Sequence, residues 1–437
     1  MTNAASTEDS EEQGQGNTAA PSRLARRLST GDAVIIGLGS MIGAGVFAAV
    51  GPAAAAAGSG LLIGLAIAAS VAYCNATSSA QLAALYPESG GTYVYGRKQL
   101  GESWGYLAGW AFVVGKLASC AAIALTFGAY VEPSIARYLA VSAVVALTVV
   151  NLFGVQKTAL LTRAIVFTVL TALGVITLAA LFGGQADAGR LNPVDENGGI
   201  YGILQAGGLL FFAFAGYARI ATLGEEVRDA ERTIPRAIPL ALGITLAVYA
   251  IVTATALLAV GPATLAAADA PLAEAVRAGR FSEMVPLVRI GAAVATLGVL
   301  LSLIAGVSRT MFAMSSDGHL PRALATVHPK RKIPHRAEIM VGIIVVLVVL
   351  AGDIREAIGF SSFGVLIYYG IANASAFTLP PGQRRWPRWL AAAGVAGCAI
   401  LAVTLPWESV VAGAGVIAVG MLVYAVRYRA GFRPARE

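Results

Sequence analysis

The stretch Gly37-Leu38-Gly39-Ser40-Met41-Ile42-Gly43-Ala44-Gly45-Val46-Phe47 sets four glycines inside an apolar run long enough to cross a bilayer. Glycine weakens a helix by roughly 1 kcal/mol per residue relative to alanine, so a helix built this way is disposed to open. A helix opened at mid-membrane frees N–H and C=O groups that lipid cannot satisfy. They must face a cavity and whatever fills it, which makes this run a candidate binding site built from backbone.

The remainder of the chain belongs in the same medium. Hydrophobic residues make up 57% of it and charged residues 13%, against roughly 45–50% and about 25% in soluble proteins. Apolar runs fall near 32–56, 60–85, 104–130, 136–153, 161–183, 199–223, 236–260, 286–314, 338–352, 356–379, 388–404 and 409–426. The expected fold is therefore an all-α membrane protein with twelve transmembrane helices. Residues 1–30 read as a disordered cytoplasmic tail, polar at first and then basic at Arg23, Arg26 and Arg27.

Basic residues concentrate in alternate connections: Arg97 and Lys98, then Arg228, Arg232 and Arg236, then Lys330, Arg331, Lys332 and Arg336, then Arg384, Arg385 and Arg388. The positive-inside rule places both ends of the chain in the cytoplasm, in what is expected to be the plasma (inner) membrane. The formal net charge of +7 is thus a matter of orientation. No basic patch interleaved with aromatics suggests nucleic-acid binding.

A second glycine-interrupted run, Gly207-Gly208-Leu209-Leu210-Phe211-Phe212-Ala213-Phe214-Ala215-Gly216-Tyr217, lies in the sixth span, five after the first. Interrupted spans at matching places in two halves point to an inverted repeat with the site between the halves. Repeats over 31–185 and 186–380 follow, with 381–437 holding spans eleven and twelve and a cytoplasmic C-terminus. Glycines used only for close helix packing are the competing explanation.

Cys74, Cys120 and Cys398 are far apart within apolar spans, and no metal-ligand spacing or cofactor motif is evident. His319, His328 and His335 fall in one basic connection and read as surface residues. No Walker sequence provides for direct use of ATP. The clustered side chains that an intramembrane enzyme needs are also missing.

Gly39-Ser40-Met41-Ile42-Gly43-Ala44-Gly45-Val46-Phe47 resembles the first-helix signature of the amino acid, polyamine and organocation (APC) permeases. Phe211 to Tyr217, followed by Gly224-Glu225-Glu226-Val227-Arg228 and Arg232-Thr233-Ile234-Pro235-Arg236-Ala237, is similar to their sixth helix and the loop after it. Tyr86-Pro87-Glu88-Ser89-Gly90-Gly91-Thr92-Tyr93 and Asp317-Gly318-His319-Leu320-Pro321 match as well, and the likeness looks nearest to the cationic-amino-acid-transporter-like branch. The resemblance implies a five-plus-five inverted-repeat (LeuT-type) fold with two further helices. It also implies alternating-access transport of an amino acid or related amine, coupled to H+ or Na+ or working by exchange.

An amino acid suits the expected backbone site. Free N–H groups at Gly43, Ala44 and Gly45, beside Ile42, suit a carboxylate. Freed carbonyls near Met41, Phe212, Ala213, Ala215 and Gly216 suit an ammonium. The resemblance makes Phe212 a lid, and Tyr217, Arg219, Glu225 and Glu226 gating candidates, with Arg309 and Asp317 as possible partners of the charged loop.

Many proton-coupled relatives carry a lysine in span five, where this chain has Val169 beside Thr168. Gly39, Thr168 and Thr296 are the positions the resemblance offers for ion coupling. Lys116, deep in span three, is the chain's own candidate for coupling or substrate recognition, since a charge there costs roughly 2.5–3.5 kcal/mol on insertion scales. Acids that cationic relatives tend to carry are replaced by Gly115 and Ala218, with Lys116 and Arg219 alongside. Neutral amino acids are thus favoured over cationic amino acids or polyamines. A low-flux amino acid sensor is the other alternative.

Overall fold

The structure is a computed structural model, which describes residues 28–88, 90–154, 159–192, 199–221 and 227–429. Sixteen α-helices run through them: α1 (Thr30–Met41), α2 (Gly45–Ala57), α3 (Leu61–Leu85), α4 (Thr92–Leu100), α5 (Glu102–Val131), α6 (Ala136–Leu152), α7 (Ala159–Phe182), α8 (Gly199–Phe214), α9 (Ala218–Ala221), α10 (Ala230–Ala267), α11 (Pro271–Arg277), α12 (Val285–Ser316), α13 (His335–Ala351), α14 (Ile354–Phe377), α15 (Arg388–Val403) and α16 (Trp407–Arg429). One isolated parallel bridge, Leu28 to Val227, is the sole β pairing among the described residues. The tail expected over 1–30 lies almost wholly outside them.

The molecule is an all-α, multi-spanning helical bundle. Among the described residues, nine helical stretches are long and apolar enough to cross a membrane. Shorter helices fill the other apolar runs: α1 has 12 residues, α13 has 17 and α15 has 16. The outer faces explain why the chain needs lipid. Phe167, Leu160, Ile200, Trp389 and Trp407 are each more than 60% exposed, a surface that water would not tolerate over so wide an area.

Two helices are interrupted where the first apolar run and the sixth were expected to open. The first ends at Met41 and resumes at Gly45, with Ala44 at φ −135°, ψ −28° between them. In the other, α8 runs unbroken through Gly207 and Gly208 and gives way to a 3-10 turn only at Ala215–Tyr217. A third break lies near one end of α10, where Gly261 adopts φ +74° ahead of Pro262. Proline supplies no N–H, and the Arg190 guanidinium instead donates to the Leu258 carbonyl at 2.9 Å.

The last two helices sit at the periphery. α15 packs on α3 and α14, and α16 on α5 and α14. α16 is anchored through its backbone: Tyr106 donates to the Gly420 carbonyl and Trp110 to that of Val416, each at 2.9 Å.

Candidate substrate cavity

The two interruptions face each other. A Cβ added to Gly45 would stand 2.4 Å from the Ala213 Cα, and one on Gly216 would stand 2.3 Å from the Ser40 carbonyl oxygen. Only glycine permits backbones to approach so closely. The opened parts of α1–α2 and α8–α9 are therefore in contact.

Three tyrosines hold these segments. The Tyr249 hydroxyl, from α10, lies 2.6 Å from the Met41 carbonyl and 3.0 Å from that of Ala213, bridging both broken helices. Tyr369, from α14, donates to the Ala215 carbonyl at 3.1 Å. Tyr130, from α5, reaches the Phe47 carbonyl at 3.2 Å. A hydroxyl has one hydrogen and each carbonyl two lone pairs, so Met41 and Ala213 keep acceptor capacity for a further donor. α2, for its part, begins without any side-chain cap, and its first N–H groups point along the helix axis toward the break.

A cavity of about 240 Å³ opens beside this junction. One face of α5 lines it through Gly109, Phe112, Lys116, Ser119 and Ile123, and one face of α12 through Val299, Ser302, Gly306, Arg309 and Ala313. Both sets follow helical i, i+3/i+4 spacing. Gly39, Met41, Ala44, Gly45, Phe212, Ala213, Ala215, Gly216 and Arg219 also line it. Its charged side chains among the described residues are Lys116, Arg219 and Arg309, all cationic.

Lys116 is buried, and none of the ion pairs among the described residues includes it. Its neighbour on the same face, Ser119, shares a 2.6 Å hydrogen bond with Ser361 of α14.

Other expected positions lie elsewhere. Ile42 and Gly43 are in the opened segment but do not line the cavity. The Ile42 N–H donates to the Leu38 carbonyl at 2.8 Å, and Gly43 is pressed against Val299 and the Ala295 carbonyl. Thr168 is exposed on α7. Thr296 is fully buried and directs its hydroxyl to the Ala292 carbonyl of its own helix at 2.6 Å. Tyr217 is buried behind the cavity wall, stacked on Tyr369 with ring centroids 4.9 Å apart. Glu225 and Glu226 lie outside the described residues.

One expectation about the connections is corrected, that of His319. Asp317, a possible partner of the charged loop, is bonded here to α4: Arg97 donates to it at 2.7 Å and Tyr93 at 2.5 Å. His319 is 5% exposed rather than a surface residue, with Nδ1 2.8 Å from the Tyr93 hydroxyl and its ring edge-on to Tyr106. Burial lowers its pKa from the ordinary 6.5. Tyr93 also lines the cavity, so this cluster borders the site directly.

Sequence reasoning missed Tyr249, Tyr369 and Tyr130. The available signal was a hydroxyl-bearing aromatic deep in an apolar span, where the hydroxyl must find a partner.

An all-helical membrane bundle with a cavity set against two broken helices is the architecture of a membrane permease. The sequence comparisons are specific: residues 32–436 match the amino acid permease family, and the chain belongs to it. An uncharacterized transporter of Mycobacterium tuberculosis is 62% identical over 407 residues, 93% of this chain and 92% of the relative. The branched-chain amino acid permease of Bacillus subtilis is 25% identical over 440 residues, 93% and 94% of the two chains. Cationic amino acid transporter 4 of Mus musculus is 28% identical over 386 residues, 82% of this chain and 60% of that protein. The chain is accordingly a secondary-active amino acid permease of the APC superfamily and an integral membrane protein, not an enzyme. The expected placement nearest the cationic branch is not specific, since the high-identity relatives are mycobacterial transporters without a stated substrate.

Proposed function

We propose that this permease carries neutral amino acids by alternating access, driven by a proton or sodium gradient or by exchange. The observation that carries the reading is the pairing of complementary backbone groups on one cavity. The uncapped start of α2 offers donors for a carboxylate, and the Met41 and Ala213 carbonyls offer acceptors for an ammonium. One zwitterion answers both. Phe212, on the same wall, closes over the ligand, and Arg219 serves the gate.

Charge supports the choice of substrate. Among the described residues the cavity lining holds Lys116, Arg219 and Arg309 and no carboxylate, and a cationic side chain would meet like charge. Lys116 is the natural recognition or coupling group, because an intramembrane charge is expensive and functional by default. Two matched interruptions support a five-plus-five inverted repeat with two added helices. The distribution of arginine and lysine supports cytoplasmic termini in an inner membrane.

Thermal stabilisation of the purified protein by each of the twenty amino acids and several polyamines tests the reading, since a ligand of the folded state raises the melting temperature by mass action. Neutral amino acids are expected to stabilise. Stabilisation by arginine or a polyamine alone would overturn the substrate assignment. Lys116→Met should alter uptake rate or its pH dependence, and an unchanged profile would remove Lys116 from the mechanism.

A further inference from the structure

Glu338 is the single carboxylate side chain among the described residues that is buried, at 4% exposure. It stands in the first turn of α13 and faces α12, where Ser308, itself fully buried, has its hydroxyl 2.8 Å from Oε1. Oε2 is buried without a hydrogen-bond partner. The same Ser308 hydroxyl lies 3.0 Å from the Ala305 carbonyl.

The hydrogen bonds bear on the state of this cluster. With Glu338 ionised, the single Ser308 hydrogen is shared between Oε1 and the Ala305 carbonyl, and the charged Oε2 is buried with no protein donor. With Glu338 protonated, its O–H donates to Ser308 Oγ and the serine hydrogen goes to Ala305. Both observed distances are then hydrogen bonds, each with its own hydrogen. A lone ionised carboxylate buried this way is among the costliest arrangements a protein can hold.

From α12, Arg309 acts on Glu338 through its charge but is not within ion-pair distance. From α5 the neighbour is Cys120, with Lys116 one turn earlier. α6 presents Thr148 and Asn151, neutral and bonded to the Val144 and Leu301 carbonyls. Arg322 lies in the short turn packed on α13, and His335 and Arg336 lie on α13 itself.

Ser308 and Arg309 are adjacent on α12, and Arg309 lines the cavity. We infer that Glu338 is a proton-binding site that couples transport to a proton gradient: its carboxylate takes up one H+ when α12 and α13 pack as they do here. It releases that H+ when the two helices separate and water reaches Oε2. No other bond forms or breaks and no electrons move. The inference rests on the transporter reading and adds to it the ion and the residue.

Glu338→Gln fixes the neutral state. In proteoliposomes with an equimolar mixture of the twenty radiolabelled amino acids, wild type should accumulate label under an inward proton gradient. The variant should keep exchange of external for internal label and lose at least about tenfold of the gradient-driven accumulation. Accumulation by the variant equal to wild type overturns the proposal. So does a wild type that exchanges label but ignores the proton gradient, an outcome that leaves the transporter reading standing. A wild type that neither takes up nor exchanges any label removes both. If Glu338→Gln fails to fold, Ser308→Ala carries the test. It removes the hydroxyl that the acid bonds and should displace the pH profile of uptake, and an unmoved profile overturns the proposal.

Discussion

The two interrupted helices solve one problem in different ways. α1–α2 is unwound over Ile42–Ala44, and the glycines there are used at the break itself. In α8 the conspicuous pair Gly207 and Gly208 lies inside a continuous helix, packed against Gly64 of α3 and Leu401 and Leu405 at the α15 end. The turn comes later, at Ala215–Tyr217, where Gly216 meets the Ser40 carbonyl. Glycine in a membrane helix thus marks either an opening or a seam. What a methyl group would strike tells the two apart.

Substitution at the opening should give the largest effect. Gly45→Val drives its Cβ into the Ala213 backbone, at 2.4 Å with no flexible atom to yield, and is expected to abolish uptake. Gly207→Ala meets the Gly64 carbonyl at 3.2 Å and a Leu401 methyl at 3.3 Å. That crowding should cost about 1–3 kcal/mol of stability, read as a lowered melting temperature, with the KM for uptake unchanged. An increase in KM for Gly207→Ala would place the seam in the site and break the distinction.

The tyrosines sharpen the comparison at the level of single hydrogen bonds. Tyr249→Phe strips one hydroxyl from two carbonyls, one on each broken helix. A buried acceptor left bare costs about 1–3 kcal/mol, and here one hydrogen is shared between the two. Tyr369→Phe removes the donor to one broken-helix carbonyl, that of Ala215, and should cost less, about 1 kcal/mol. Melting temperatures of the two variants give the order, and the reverse order would show that the second interruption depends more on its tyrosine.

The helical runs were readable because lipid admits few alternatives: an apolar stretch of sufficient length must be helical. The opening at Gly43 to Gly45 was readable because it is written in backbone, with four glycines in an apolar run. The exact turn in the sixth span was not. Gly207-Gly208 and Gly216 carry the same local signal, and only their neighbours, Leu401 against Ser40, separate them. Thr168 and Thr296 show the limit of carrying positions over by likeness. Thr168 is exposed and Thr296 bonds its own helix, the usual habit of such hydroxyls. Asp317 and His319 needed the fold itself, since their partners Arg97 and Tyr93 stand more than two hundred residues away in the chain.

The smallest expected effect concerns the cluster beside the cavity. His319 is held neutral chiefly by burial, with the nearby Glu102 carboxylate opposing. Tyr93 gives its hydrogen to Asp317, so the imidazole Nδ1–H donates to the Tyr93 oxygen. The folded pKa lies below the ordinary 6.5, so between the two values the unfolded chain binds more protons and stability rises with pH. The contribution is complete above 6.5 and is lost as pH falls through the folded value. Melting temperature should therefore decline in mildly acidic buffer. His319→Gln keeps an amide donor for Tyr93 but cannot titrate, so its curve should be flatter there, whatever its absolute position. Parallel curves for wild type and variant below 6.5 would mean that the cluster takes up its proton without strain, and that α4 and the end of α12 stay joined when it does.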